Sequence, residues 1–80
     1  IYRDIAEVAV PGAVVRLGVS AAAPGSLDSR YVVLICPGLV CRVTYVTDPT
    51  AQFEPLATLT TDADVAVVRV EGRVVWRSAP

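Results

Sequence analysis

Cys36 and Cys41 are the pair of residues whose type and spacing could do chemistry together. They are the only thiols of the 80-residue chain, and they flank the tetrapeptide Pro-Gly-Leu-Val. A hairpin with a four-residue loop would set them directly opposite each other, at a Cα separation that a disulfide can span. Closing so short a loop would stabilise the fold by only about 2 kcal/mol. The alternative is that both are reduced and pack as small apolar side chains, and the sequence leaves both states open.

The sequence offers no complete metal or redox site. Two cysteines without any histidine cannot fill the four positions around a zinc ion. The spacing is not the Cys-x-x-Cys of redox motifs. Asp62 and Asp64 would supply two or three oxygen ligands, where calcium takes roughly six to eight. We therefore expect no metal and no cofactor, and we interpret the two aspartates as turn residues that bond to nearby backbone N–H groups.

The groups that catalysis requires are also missing. The chain contains neither histidine nor lysine, so its serines have no base that could activate them as nucleophiles. Its acidic residues are scattered, and its glycines stand singly in turn-like positions rather than in a phosphate-binding loop. We expect a protein without enzymatic activity and without a small-molecule substrate.

Arginine supplies every basic side chain, and four arginines are candidates for contact with a partner protein. They are Arg42, Arg69, Arg73 and Arg77. Planar guanidinium groups pair well with carboxylates, and arginine is enriched at the energetic centres of interfaces. A solvated strand edge, where charge prevents aggregation, is the alternative interpretation. Nucleic acid is a weaker third choice, because the net charge is −1 and few tyrosines are placed for base stacking.

The apolar content is too high for a core of this size. Hydrophobic residues make up 54% of the chain and charged residues 19%, which excludes intrinsic disorder. A domain this small buries only about 60–65% of its unfolded surface, so we expect a contiguous apolar patch that packs against a partner or another copy. The alternative is small alanine and valine side chains spread over the surface. No run reaches the roughly 18 apolar residues of a transmembrane helix, so we expect no membrane span.

Turn residues recur every 8 to 12 residues or so between segments rich in valine and threonine, which is typical of an all-β sandwich or barrel. We predict a single domain over residues 1–80, a compact antiparallel β-sandwich or small barrel of about seven short strands. The first segment could also form a short helix, because its periodicity is ambiguous. The predicted strands are residues 5–10, 13–20, 31–36, 41–47, 56–60, 65–70 and 73–78.

Two hairpin registers follow from the requirement that apolar side chains share a face. In the central hairpin Cys36 opposes Cys41, which leaves both strands apolar on one face and mostly apolar on the other. In the last hairpin a three-residue loop with a left-handed Gly72 and a bulge pairs Arg69 with Arg73. The second register collects apolar residues on one face: Ala66, Val68, Val70, Val74 and Trp76. It places Arg69, Arg73 and Arg77 together on the other.

These features predict a non-catalytic structural module that packs against copies of itself or joins a larger assembly. The concrete form is a small virus or phage capsid or decoration protein located in the virion. The chain starts at Ile1 without methionine, which indicates a processed product or a fragment. The alternative function is a small monomeric protein-binding or inhibitor domain, and a nucleic-acid-binding β-barrel comes third.

Overall fold

In the part that is described, the chain forms seven β-strands and no helix. The structure is a computed structural model that describes residues 2–21, 29–46 and 56–79. The strands are β1 (Tyr2–Val10), β2 (Ala13–Ala21), β3 (Ser29–Cys36), β4 (Arg42–Tyr45), β5 (Ala57–Asp62), β6 (Val65–Val70) and β7 (Arg73–Arg77). The predicted all-β class and the predicted number of strands are confirmed.

The strands form two antiparallel sheets rather than one closed barrel. The four-stranded sheet has the order β1-β2-β3-β4, and the three-stranded sheet has the order β5-β6-β7. Strands that are neighbours within a sheet are also consecutive in sequence. The sheets pack together mainly where β1 and β2 meet β5 and β6. The predicted antiparallel sandwich is therefore the observed architecture.

The core lies between the sheets and follows the two-residue period of the strands. On β2 the side chains of Val15, Leu17 and Val19 point inward and are almost completely buried. Fully burying one such side chain stabilises the fold by about 1.5–3 kcal/mol. The buried cluster also includes Tyr31, Val33, Ala57, Leu59, Ala66 and Val68. Trp76 packs against this cluster from β7.

The first strand is longer than the sequence predicted, and it is not a helix. β1 begins at Tyr2, whereas the predicted strand began at residue 5. The early part was missed because it lacks apolar alternation. A bulge between Asp4 and Ala6 shifts the register, so this polar stretch still pairs with β2.

The predicted register of the last hairpin is wrong at its turn. Glu71 and Gly72 form a two-residue loop with φ of 52° and 80°, and Val70 therefore pairs with Arg73. The bulge lies further along β7, where Arg69 pairs with Val74 and the pairing then shifts. Because of this shift, Trp76 lies on the inward face, where it pairs with Val68. Val74 was predicted on the apolar inner face, but it lies opposite Arg69 and is 41% exposed.

Gly18 allows the Tyr2 ring to pack on the outer face of the four-stranded sheet. A Cβ atom at Gly18 would collide with that ring and would lie 2.6 Å from the carbonyl oxygen of Arg3. The Tyr2 hydroxyl donates a hydrogen bond to Asp4 Oδ1. Burial first, and then this hydrogen bond and the negative charge of Asp4, raise the pKa of the Tyr2 phenol.

We expect Gly18→Ala to lower the free energy of unfolding by about 1–3 kcal/mol, because the added methyl group forces the ring and the backbone of β1 to move. Gly38→Ala is the matched control, since a Cβ there meets no atom within 4 Å. Urea denaturation followed by the fluorescence of Trp76 measures both. Equal midpoints for the two variants would contradict this packing.

The β5–β6 turn places two non-glycine residues in the left-handed region. Ala63 has φ of 50° and Asp64 has φ of 67°. Replacing the pair with Asn-Gly, which suits such turns, should raise the free energy of unfolding by about 1 kcal/mol. Gly72→Ala should have the opposite effect, because φ there is +80° and nothing crowds the Cβ position. Thermal denaturation compares the variants, and a destabilised Asn-Gly variant would disprove the assigned turn geometry.

Candidate functional site

The β3–β4 hairpin has the register that the sequence predicted. Leu34 pairs with Val43, and Ile35 pairs with Arg42. The same register leads directly to Cys36 and Cys41, which the structure joins in a disulfide with their Cα atoms 4.1 Å apart. Of the two states that the sequence left open, this structure contains the oxidised one. The bond ties the end of β3 to the beginning of β4.

The loop between the cysteines presents two large apolar side chains to solvent. Leu39 is 103% exposed and Val40 is 83% exposed. The loop has four residues, and the disulfide holds its ends together, so it cannot fold back to bury them. From the sequence alone, these residues indicate only a turn. A projecting loop could have been inferred from their position, which is next to Pro37-Gly38 and between the paired cysteines.

The apolar surface continues from the loop onto β4. Val43 is 56% exposed and Tyr45 is 59% exposed, and both lie on the outer face of the four-stranded sheet. The guanidinium carbon of Arg30 lies 5.7 Å from the centre of the Tyr45 ring, which favours a cation–π contact. We call this surface the hairpin patch: Leu39, Val40, Val43 and Tyr45.

The outer face of the four-stranded sheet changes from charged to apolar across its strands. At the β1 side, Arg16 Nε lies 3.5 Å from Glu7 Oε2, and both side chains are exposed. At the β4 side, Leu34 and Val43 occupy the same cross-strand row as that ion pair. Val43 and Tyr45 of the hairpin patch therefore lie at the side of this face that is away from the ion pair.

Strand β3 is buried on both of its faces, as its sequence predicted. Val33 on the inner face is completely buried, and Val32 on the outer face is 2% exposed. Across the strands, Val32 lies between Gly18 and Tyr45. The Tyr2 ring packs over Gly18. Tyr2 and Tyr45 thus flank this outward part of β3 within the single chain. The exposed apolar surface lies instead on β4 and on its loop.

The four candidate arginines do not form one face. Arg69 and Arg77 lie on the outer face of the three-stranded sheet, but Arg73 pairs with Val70 and lies on the opposite face. Arg42 belongs to the other sheet, where it pairs with Ile35. The predicted common face of Arg69, Arg73 and Arg77 is therefore wrong, and the cause is the two-residue turn described above.

Two of these arginines have local partners. Arg69 Nη1 donates a hydrogen bond of 2.8 Å to Thr60 Oγ1. Arg73 Nη2 lies 3.9 Å from Glu71 Oε2, with both side chains more than half exposed, so this ion pair contributes little to stability. Contact of the four arginines with a partner protein stays a prediction.

The described residues outside the hairpin supply little for binding chemistry. None of them forms a group of three or more potential metal ligands. A shallow depression lies between the β1–β2 and β5–β6 turns, and Asp64 is the one ionisable residue in its lining: Val10, Pro11, Ala63, Asp64, Val65 and Ala79. The buried Tyr31 has its pKa raised by desolvation and, to a lesser degree, by the charge of Glu71.

Comparison with known proteins does not extend these observations. No protein-family model, curated protein or solved structure matches this chain. In the three ranges that the structure describes, no helix is long and apolar enough to cross a membrane.

We expect reduction of the Cys36–Cys41 disulfide to lower the free energy of unfolding by about 2 kcal/mol, because the short ring constrains the unfolded chain only modestly. Urea denaturation with and without a phosphine reductant measures the change. The double variant Cys36→Ala and Cys41→Ala is the control, and its midpoint should not respond to the reductant. An unchanged midpoint for the reduced native chain would show that the bond does not stabilise the fold.

Proposed function

We propose that this chain is a non-catalytic assembly module that packs against copies of itself through the β3–β4 hairpin. The observation that carries the proposal is the hairpin patch, which places four large apolar side chains on one exposed hairpin. Two further exposed valines, Val74 and Val75, lie on β7 in the other sheet. Of the seven large apolar side chains that are exposed in the described residues, four therefore lie on this one hairpin.

Burial of the hairpin patch would supply the free energy of association. From their exposed fractions, the four side chains expose on the order of 500 Å² of apolar surface, similar to the largest patch on a typical monomer. At about 25 cal/mol per Å², covering most of this area would favour association by several kcal/mol, before the entropy of association is subtracted. The disulfide supports association because it holds the loop in one conformation before contact.

A small virus or phage capsid or decoration protein is the concrete form of this proposal. The strand-rich fold and the surplus of apolar residues support it, and a closed symmetric assembly of two or more copies would be its expected product. The runner-up function is a small monomeric protein-binding or inhibitor domain. It is favoured by one observation, the projection of Leu39 and Val40 from a short tethered loop, because such a tip suits a pocket on a different protein.

Light scattering after size-exclusion chromatography tests self-association directly. We expect a mass of twice or more the 8.4 kDa of one chain at high protein concentration. The double variant Leu39→Asp and Val40→Asp should weaken association at least about tenfold, because each lost aliphatic contact removes roughly 1.5–3 kcal/mol. Both positions are exposed in the single chain, so the fold should be retained.

A matched variant on the other sheet separates the hairpin from the arginines. Arg73→Glu with Arg77→Glu reverses the charge of two residues on β7 and leaves the hairpin patch unchanged. If this variant loses association while the hairpin variant keeps it, the contact surface is β7, as the sequence analysis predicted. A monomer across the micromolar range would disprove self-assembly and favour the monomeric binding domain.

A further inference from the structure

The sheet edges of this molecule differ in how they are protected against pairing with another strand. β1 carries Arg3, Asp4 and Glu7 and is interrupted by a bulge. β7 carries Arg73 and Arg77 and also contains a bulge. Charged residues and bulges are the usual means of preventing edge-to-edge association. Both of these edges are therefore poor templates for an added strand.

The remaining two edges are β5 and β4, and they differ in polarity. The exposed residues of β5 are threonines and Asp62. β4 has the sequence Arg-Val-Thr-Tyr, its register with β3 is continuous, and its valine and tyrosine are more than half exposed. Its shortness and the exposed Arg42 at its first position are the protective features of β4, and neither of them interrupts Val43, Thr44 and Tyr45. Among the described edge strands, β4 exposes its large apolar side chains the most.

The hydrogen-bonding pattern shows which backbone groups of β4 point outward. The Val46 N–H donates to the Tyr31 carbonyl at 3.1 Å, so these two residues form a hydrogen-bonded pair. Hydrogen-bonded and non-hydrogen-bonded pairs alternate along an antiparallel ladder. Thr44 therefore directs its N–H and C=O toward β3, whereas Val43 and Tyr45 direct theirs away from the sheet. No described strand pairs with that side of β4.

We infer that two copies of this chain join by antiparallel pairing of β4 with β4 across a two-fold axis at Thr44, which creates one continuous eight-stranded sheet. The inference rests on the proposed self-association and specifies its geometry. Val43 of each copy pairs with Tyr45 of the other and exchanges two backbone hydrogen bonds with it. The outward backbone groups of both residues are thereby satisfied in both copies.

This register also keeps like faces together. A two-fold axis perpendicular to the sheet places the outer face of one copy beside the outer face of the other. Val43 and Tyr45 then form two valine–aromatic cross-strand pairs on the outer face, and such pairs are among the stabilising ones in antiparallel sheets. The exposed flanks of both side chains are covered. The two Thr44 side chains meet on the inner face as a non-hydrogen-bonded pair.

The size of the contact predicts a dimer whose population depends on concentration. A stable interface covers about 800 Å² on each partner, and a four-residue edge with the flanks of Val43 and Tyr45 provides less than this. The mass should therefore rise from one chain toward two as the protein concentration increases from the low to the high micromolar range.

Disulfide trapping at single positions tests the register. At the axis, the two Thr44 Cα atoms would lie about 4.5 Å apart, within the range that a disulfide spans. Copies of Val43, or of Tyr45, would be offset by two residues and would lie beyond the roughly 7 Å limit. Under mild oxidation, Thr44→Cys should form covalent dimers at least about tenfold faster than Val43→Cys or Tyr45→Cys. Peptide mass spectrometry verifies that Cys36 and Cys41 remain bonded to each other.

Proline at position 43 tests the outward hydrogen bond without removing a bond to β3. Val43→Pro deletes an N–H that points away from the sheet, which an edge strand tolerates. Val43→Ala is the matched control, because it shortens the side chain but keeps that donor. We expect Val43→Pro to weaken dimerisation at least about tenfold relative to Val43→Ala. Circular dichroism verifies that both variants keep the native fold.

The outcomes separate this geometry from self-association itself. Selective trapping at Thr44→Cys and loss of the dimer in Val43→Pro support the inference. Faster trapping at Val43→Cys or Tyr45→Cys overturns the register. A dimer that persists in Val43→Pro and shows no selective trapping overturns edge pairing, while the proposed assembly function stands. A native chain that remains monomeric at high micromolar concentration overturns both.

Discussion

The pairing of β2 with β3 is the interaction on which the rest of the molecule depends. Leu17 pairs with Val33 and Val19 pairs with Tyr31, and all four side chains are buried against the second sheet. Because side chains alternate along a strand, this register also decides what faces outward. A shift by one residue would expose the core set and bury Arg16. The register of β2 with β3 therefore determines both the core and the outer face.

Strand β6, in the middle of the three-stranded sheet, differs from an ordinary half-buried strand. On β6, the three consecutive residues Ala66, Val67 and Val68 are completely buried, although one side of the three-stranded sheet faces outward. Val67 is flanked in register by Thr60 and Arg77. Polar residues on both neighbouring strands thus lie beside an outward valine that is itself completely buried. The second sheet therefore covers much of its own apolar surface.

The fold was predictable because the signals for it are local. Valine-rich segments separated by turn residues predicted seven strands, and pairing of the two cysteines predicted the register of the central hairpin. The register of the last hairpin was predicted incorrectly. A bulge at the turn and a bulge further along β7 both leave Trp76 on the inward face. The position of Trp76 therefore does not distinguish the two arrangements. The exposure of Leu39 was missed for a different reason. Hydrophobic residues are expected to be buried, and only the short tethered loop shows that this one is not.

The disulfide and the β4 edge act on the same part of the fold. β4 is short, and an isolated four-residue edge strand gains little from its few ladder hydrogen bonds. The Cys36–Cys41 bond anchors its beginning to β3, while the contact of Tyr45 with Arg30 favours order at its end. The strand is thereby held in an extended conformation, so little conformational entropy would remain to be lost in the proposed pairing with a second copy. A covalent bond that contributes only modestly to folding can in this way contribute more to association, because it orders the apolar loop and the edge strand before contact.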